Sequence, residues 1–410
     1  MKKRNIKFVI AGHVDHGKST LIGRLLYDTG SLAYDKIKEV RKVSQDMGRD
    51  TQFAYFLDHL KEEREGGITI DTTQVFFKSG GINYVIIDAP GHVEFVKNMI
   101  TGASQADSAV LIVDVVESLK EQTKRHAYLL SLLGFKEAIV VLNKMDLVNY
   151  KQAQFLTVKD EINRFFTSIN MPAVHYIPVS ALDGENIIRH SKKMSWYKGV
   201  PFLKSLAGFK HKPFNNKTLI FPVQDVYNID GKAVIAGRII SGSLKRSQTI
   251  KILPSGETTK IKSIEKYPRK AVRAYSCESI GITLVKQLSV NRGDIIYSPD
   301  KTPLLRDKFS ATVFWMEDER FDKNKEMIMR CSTQEAACRI EKINKRIDSS
   351  TLKTIEEDAN VLENLDMAEV IIKTEKPIVT ANFNDIRELG RFVLVRDGNS
   401  CAAGIINSVW

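Results

Sequence analysis

Residues 12–20 read Gly12-His13-Val14-Asp15-His16-Gly17-Lys18-Ser19-Thr20. They match the spacing G-x-x-x-x-G-K-[ST], in which successive backbone N–H groups surround a phosphate. The apolar residues 6–11 before them predict a short buried strand, and residues 21–28 after them predict a helix. A loop between a strand and a helix N-terminus directs N–H groups and the positive helix end at one point. The stretch therefore predicts a polyphosphate site, and all nine residues are candidate contacts.

Three more polar signatures follow apolar strands predicted at residues 83–87, 138–142 and 175–179. They are Asp88-Ala89-Pro90-Gly91-His92, Asn143-Lys144-Met145-Asp146 and Ser180-Ala181-Leu182. In an open α/β sheet, ligands bind beyond the carboxyl ends of the strands. In this order the signatures predict a site for a guanine nucleotide.

At the phosphate end, such a site must neutralise the negative charge of the phosphates and position the reacting groups. Lys18 would bring a positive charge to the β- and γ-phosphates, and the Ser19 hydroxyl would bind Mg²⁺. Asp88 would hold the same ion through water, and Thr69 would complete its shell only when the γ-phosphate is present, which makes the loop before Thr69 a switch. The alternatives are a strand-terminating turn at Asp88 and a plain turn at Gly66-Gly67 before Thr69.

Hydrolysis needs a group that orients the attacking water. His92 is the candidate catalytic residue, with a bystander role as the alternative, whereas His13 and His16 are expected to shape the phosphate loop. Gly91 has no Cβ, so its N–H can approach the γ-phosphate closely.

The base end is predicted around Asp146, whose carboxylate can accept hydrogen bonds from both N1–H and N2–H₂ of guanine. A buried acceptor rejects adenine, which would leave it unpaired. Asn143 is expected to brace the loops and the Lys144 stem to cover the base, while the loop Ser180-Ala181-Leu182 presents its backbone to the base oxygen.

Length and composition limit the class of protein. At about 150 residues per domain, a chain of 410 residues predicts two or three domains. Four cysteines without a C-x-x-C pair indicate reduced thiols in a cytoplasmic protein. No apolar run approaches about 20 residues, so we expect no membrane span.

The predicted elements divide the chain at 1–208, 209–302 and 303–410. Alternating strands and helices in the first segment predict a mostly parallel sheet with helices on both faces. The short strands and glycine turns of the other two predict two small antiparallel β-barrels. A helical period is visible only at Thr333–Arg346.

The middle segment is strongly basic, with 17 lysines and arginines against 7 acidic residues. The basic residues concentrate in a stripe: Lys260, Lys262, Lys266, Arg269, Lys270 and Arg273. Such a stripe can bind an acidic protein face or a nucleic-acid backbone. A solvated strand face is the alternative interpretation.

With these motifs in order, the chain resembles the translation-factor class of GTPases along nearly its whole length. The resemblance implies a P-loop GTP-binding domain followed by two β-barrels. Two branches compete: elongation factor Tu with its archaeal and eukaryotic counterparts, and the large GTPase subunit of sulfate adenylyltransferase (ATP sulfurylase).

Several stretches are more similar to the sulfurylase subunit: STLIGRLLYDTGS at 19–31, EQTKRH at 121–126, SLLG at 131–134, GENIIRHSKKMSWYKG at 184–199, TEKP at 374–377 and LGRF at 389–392. His13, His16, Ala89 and the stretch Met99–Asp107 instead resemble the elongation factors.

The sulfurylase resemblance implies a Mg-dependent GTPase whose hydrolysis of GTP helps to form adenylyl sulfate from ATP and sulfate on a separate small catalytic subunit. The elongation-factor resemblance implies aminoacyl-tRNA and the ribosome as partners. A GTP-gated interaction module without a dedicated reaction is a third interpretation.

Overall fold

The computed structural model describes a defined part of the chain. The described residues are 4–32, 34–35, 37–38, 53, 55, 74–88, 106, 108–132, 134–135, 137–169, 171, 173–209, 218–229, 231–266, 271–323, 325–349 and 351–409. The chain separates into two compact units, Met1–Lys210 with Ser349–Thr351, and His211–Asp348 with Leu352–Trp410.

The first unit alternates strands and helices. Its strands are β1 Arg4–Ala11, β2 Gln74–Ser79, β3 Ile82–Asp88, β4 Ser108–Asp114, β5 Ala138–Asn143 and β6 Ala173–Pro178. The helices whose bounds lie within the described residues are α1 Lys18–Asp28, α2 Glu121–Leu132, α3 Gln152–Ser168 and α4 Phe202–Gly208. Among the described residues the sheet order is β2-β3-β1-β4-β5-β6, with β2 antiparallel to β3 and the other neighbours parallel.

Burial explains why these strands are predictable. Every residue of β4 and of β5 is buried, as expected for central parallel strands that are covered on both faces and are therefore apolar throughout. Helix α1 buries one stripe (Leu21, Ile22, Leu25 and Leu26) in the same core as the strands.

The strand register brings the polar signatures to one edge of the sheet. Asp88 at the end of β3 lies beside Ile10 of β1, and Asp114 at the end of β4 lies beside Asn143 at the end of β5. This is the edge from which the phosphate loop leaves β1.

Among its described residues, the second unit contains two large antiparallel sheets and one pair of short strands. The first is a closed barrel in the order β10-β11-β13-β8-β7-β14. The strands up to this point are β7 Ile220–Ile229, β8 Lys232–Arg238, β9 Ser243–Lys245, β10 Thr249–Leu253, β11 Thr258–Glu265, β12 Arg273–Tyr275, β13 Ser279–Leu284 and β14 Ile295–Tyr297. Strands β9 and β12 form a separate pair.

The second sheet has the order β16-β20-β21-β15-β19-β17-β18 among the described residues. Its elements are β15 Leu304–Trp315, β16 Met327–Cys331, β17 Gln334–Asp348, β18 Thr354–Glu357, β19 Asp366–Thr380, α5 Arg387–Gly390, β20 Arg391–Arg396 and β21 Asn399–Val409. Because β16 also pairs with β17, six of these strands close into a ring around one buried core. The predicted fold class, a P-loop domain followed by two antiparallel barrels, is confirmed.

The helical period predicted at Thr333–Arg346 is wrong. These residues lie in β17 and in the turn before it, and the strand pairs with β16, β18 and β19. Buried residues alternate with more exposed ones from Gln334 to Glu341, which is the period of a strand.

The three segments 1–208, 209–302 and 303–410 remain our proposal for the domains. Of the helices in the described ranges, none is both long and apolar enough to cross a bilayer.

Candidate nucleotide-binding site

The phosphate loop is a tight turn between β1 and α1. Residues Val14–His16 form one turn of 3₁₀ helix, and Gly17 follows with φ +83°, in the left-handed region. A Cβ on Gly12 would lie 2.3 Å from Ile112 Cγ2, and one on Gly17 would lie 2.4 Å from Asn143 Nδ2. Neighbouring atoms therefore leave no room for a Cβ at either position, and the left-handed conformation of Gly17 disfavours a side chain there as well.

Asn143 links the phosphate loop to the loop after β6. Its Nδ2 donates to the His16 carbonyl oxygen at 2.9 Å, and its Oδ1 accepts from the Ala181 N–H at 2.9 Å. The residue is 2% exposed, so water does not compete for these bonds. One amide side chain thus holds together two loops that lie far apart in sequence.

The phosphate end contains a buried pair of opposite charges. Lys18 Nζ lies 2.9 Å from Asp88 Oδ1, and both side chains are nearly inaccessible. Ser19 lies in the first turn of α1, directly after Lys18. The carboxylate and hydroxyl oxygens of Asp88 and Ser19 are the ligand type that Mg²⁺ prefers, so this donor set fits the ion.

The loop after β5 carries the candidate base contacts. Lys144 is left-handed, with φ 65°, and precedes the 3₁₀ turn Met145–Val148, which contains the half-buried Asp146. Lys144 Nζ forms an ion pair with Asp114 Oδ2 at 2.7 Å.

Asp114 is the residue that sequence reasoning missed. It is buried at the end of β4, and its Oδ1 also accepts from the Val116 N–H at 2.7 Å. The available signal was its position, because an acidic residue that ends an apolar strand lies at the ligand edge of the sheet.

The loop Ser180-Ala181-Leu182 is held from both sides. Ser180 O accepts from the Gly184 N–H at 2.9 Å, which closes the turn. Arg24 Nη1, from α1, donates to Leu182 O at 2.9 Å, and Arg24 Nε donates to Asp28. Helix α1 therefore fixes the loop Ser180-Ala181-Leu182, called the base loop below, at its outer end and carries Lys18 at its own start.

The two loop histidines differ in burial. His16 is fully buried, and its Nδ1 lies 3.2 Å from the Ile112 carbonyl oxygen. Burial lowers the pKa of His16, while the bond to Ile112 opposes that shift. His13 is half-buried, and its Nδ1 accepts a long 3.5 Å bond from the Asp15 N–H.

A third histidine, His126 of α2, is close enough to the phosphate loop to be influenced by its charges. Burial, followed by the positive charges of Lys18, His13, His16 and Arg125, lowers its pKa to about 3. The ring is therefore neutral at physiological pH.

The structure brings three predicted signatures to one edge of the sheet: the phosphate loop from Gly12 to Thr20, Asn143 to Asp146, and Ser180 to Leu182. Of the fourth signature it describes only Asp88. Thr69, Ala89, Pro90, Gly91 and His92 lie outside the described residues.

Comparison with known proteins identifies two families in the chain. The family model described as Elongation factor Tu GTP binding domain matches residues 3–227. A second, described as GTP-eEF1A C-terminal domain-like, matches residues 308–407.

Two curated relatives show how far the similarity extends. Elongation factor 1-alpha of Archaeoglobus fulgidus is 37% identical over 413 residues, which cover 99% of this chain and 98% of the relative. Sulfate adenylyltransferase subunit 1 of Bacteroides thetaiotaomicron is 35% identical over 420 residues, which cover 99% of this chain and 86% of the relative. The predicted resemblance is confirmed: the chain belongs to the translation-factor GTPases, with a GTP-binding domain of the elongation factor Tu type.

Proposed function

We propose that this GTPase is the large subunit of a sulfate adenylyltransferase in the cytoplasm. It binds GTP with Mg²⁺, and its hydrolysis of GTP helps to drive the formation of adenylyl sulfate from ATP and sulfate. The adenylyl transfer itself takes place on a separate small catalytic subunit.

The single observation that supports the binding of a guanine nucleotide is the position of Asn143. Its two buried bonds join the phosphate loop and the loop at Ala181, and three residues further on lies Asp146. A carboxylate held there can accept from N1–H and N2–H₂ of guanine, and adenine has no such pair of donors. We assign the GTP contacts to Gly12–Thr20, Asp88, Ala89, Pro90, Gly91, His92, Asn143, Lys144, Asp146, Ser180, Ala181 and Leu182.

The Lys18–Asp88 pair holds both side chains where a bound triphosphate and its Mg²⁺ ion would need them. A bound triphosphate would offer Lys18 its β- and γ-oxygens as new partners, which would leave the Asp88 carboxylate available to hold the ion, directly or through water. We assign Mg²⁺ to Ser19, Asp88 and Thr69, where it would neutralise charge that develops on the phosphates. His92 would orient the attacking water.

Two observations support the sulfurylase branch. The stretches at 19–31, 121–126, 131–134, 184–199, 374–377 and 389–392 resemble that subunit, and a sulfate adenylyltransferase subunit 1 is 35% identical along 99% of the chain. The resemblance to that subunit implies a small catalytic subunit as partner, on which ATP and sulfate react.

The test mixes the purified chain with a small sulfate adenylyltransferase subunit and measures GTP turnover. We expect ATP and sulfate together to accelerate GTP hydrolysis, and GTP to raise the yield of adenylyl sulfate. A control with ATP alone separates a coupled reaction from simple complex formation. A rate of GTP hydrolysis that does not change when the small subunit, ATP and sulfate are added would overturn the assignment.

A second function, delivery of aminoacyl-tRNA, is favoured by one structural observation. Lys260 and Lys262 are exposed at alternate positions of β11, on the outer face of the closed barrel. The elongation factor 1-alpha relatives match the chain at similar identity. This function predicts tRNA binding only in the GTP state, with an affinity that falls steeply as salt rises.

A further inference from the structure

Three side chains with metal-ligating atoms converge beside the phosphate loop. They are His13, His16 and Glu117, and their ligand atoms all lie within 4.8 Å of one another. Glu117 lies in the turn just after β4, so the three residues come from two loops at the same edge of the sheet.

The tautomer of His16 is fixed by its neighbour. A carbonyl oxygen can only accept, so the 3.2 Å contact with Ile112 O places the proton on Nδ1. In the neutral ring Nε2 then carries a lone pair, and this atom lies 3.3 Å from Glu117 Oε2, which is a second acceptor. Two acceptors at this distance are bridged either by a proton on Nε2 or by a cation that both can bind, and the third ligand atom, on His13, favours the cation.

The spacing fits one kind of cation well. Zn²⁺ binds imidazole nitrogen and carboxylate oxygen at about 2.0–2.2 Å in a tetrahedral shell, which puts neighbouring ligand atoms roughly 3.3–3.5 Å apart. The separation of His16 Nε2 and Glu117 Oε2, 3.3 Å, matches such an edge. Mg²⁺ prefers oxygen ligands in an octahedral shell, so a pair of imidazoles selects against it.

His13 can supply the third ligand. Its ring centroid lies 5.2 Å from that of His16, and its present bond from the Asp15 N–H is long at 3.5 Å. Little is lost when the ring turns toward a cation. The opposing charge is Lys120, whose Nζ lies 3.0 Å from the other oxygen of Glu117, but this side chain is half-exposed and can move into solvent.

We propose that His13, His16 and Glu117 form a binding site for a single Zn²⁺-type cation, with water in the fourth position. This site is separate from the Mg²⁺ site that we assign to Ser19, Thr69 and Asp88. Because two of its ligands belong to the phosphate loop, occupancy by the cation and binding of nucleotide are thermodynamically linked.

The test titrates Zn²⁺ into the nucleotide-free full-length chain in competition with a colorimetric zinc chelator. We expect one tight site per chain. Glu117→Gln should weaken it by at least about tenfold, because even partners outside the coordination shell are worth 10–100-fold in affinity. Glu121→Gln removes the same charge from an exposed residue four positions away and should bind as the wild type does.

Two further measurements control for an effect of the substitutions on folding and for the selectivity of the site. Thermal unfolding followed by circular dichroism should show the same midpoint for metal-free Glu117→Gln and Glu121→Gln. Millimolar Mg²⁺ should leave the Zn²⁺ titration unchanged. Wild-type affinity in Glu117→Gln, or full displacement of Zn²⁺ by Mg²⁺, would show that His16 and Glu117 form an ordinary polar contact and would overturn the proposal.

Discussion

A single amide side chain couples the phosphate loop to the base loop. Asn143→Ala would leave the His16 carbonyl and the Ala181 N–H buried without their partner, and each such group costs about 1–3 kcal/mol. We therefore expect urea unfolding to show a loss of roughly 2 kcal/mol or more, together with weaker binding of GTP.

Asn83 offers the matched control, because its Nδ2 donates to Asn5 Oδ1 at an exposed position on the same sheet. Asn83→Ala should change the unfolding free energy by less than about 0.5 kcal/mol. Equal losses in the two variants would contradict the linking role of Asn143.

His126 predicts a pH dependence of stability. Its pKa is about 3 in the folded chain and near 6.5 in the unfolded chain, so between these values only the unfolded chain binds the proton. The unfolding free energy therefore falls as pH falls, by about 1 kcal/mol between pH 6.5 and 5.5 from this group alone. His16, whose pKa is also lowered by burial, adds to the loss in the same direction.

The measurement is urea unfolding of the wild type and of His126→Gln at pH 7.5, 6.5 and 5.5. The substitution itself lowers stability at every pH, so the slopes are compared instead of the absolute values. A slope that is unchanged in His126→Gln would mean that this ring does not carry the effect.

At the level of elements, a left-handed glycine lies close to each end of α1. Gly17 precedes it with φ +83°, and Gly30 follows it with φ +65°. An alanine in this region of conformational space costs roughly 1–2 kcal/mol at either position. The surroundings differ, because a Cβ on Gly17 would lie 2.4 Å from Asn143 Nδ2, whereas a Cβ on Gly30 meets nothing within 4 Å.

The pair of variants separates backbone strain from damage to the site. Gly30→Ala should lose about 1 kcal/mol of stability and retain the affinity for GTP of the wild type. Gly17→Ala should in addition displace Asn143 and lower the affinity for GTP by at least about tenfold, since 1.4 kcal/mol corresponds to that factor. Equilibrium titration with a fluorescent GTP analogue measures the difference.

The same elements show what could be predicted from the sequence. The strands that end in Asp88 and Asn143 lie within one or two residues of their predicted bounds, because buried parallel strands are apolar throughout and end abruptly in polar residues. The prediction of a helical period at Thr333–Arg346 was wrong for a physical reason. Arg339, Lys342 and Arg346 are spaced like one face of a helix, whereas their strand conformation comes from the pairing of β17 with β19, which is distant in sequence.

Contacts between residues that are distant in sequence could not be predicted from the sequence either. His16 and Glu117 lie 101 positions apart, and the Asn143–His16 bond spans 127 positions. Composition and motif order carry no information about such pairs. What the motifs did predict was the edge of the sheet at which these residues meet.

At the scale of the whole molecule, the described candidate nucleotide contacts all belong to the first of the two compact units. Guanine nucleotide should therefore stabilise that unit by mass action, by about 2.7 kcal/mol when GTP is present at 100 times its dissociation constant. Hydrogen exchange of the buried amides in β1, β4 and β5 reports the opening of the sheet.

We expect GTP at that concentration to slow exchange of these amides by roughly a hundredfold, and ATP at the same concentration to leave it unchanged. The nucleotide preference should depend on one carboxylate, so Asp146→Asn should lose the protection by GTP. Asp160→Asn, which changes an exposed aspartate of α3, should keep it. Equal protection by ATP and GTP in the wild type would contradict the assignment of Asp146, because no other described residue is assigned to accept from N1–H and N2–H₂ of guanine.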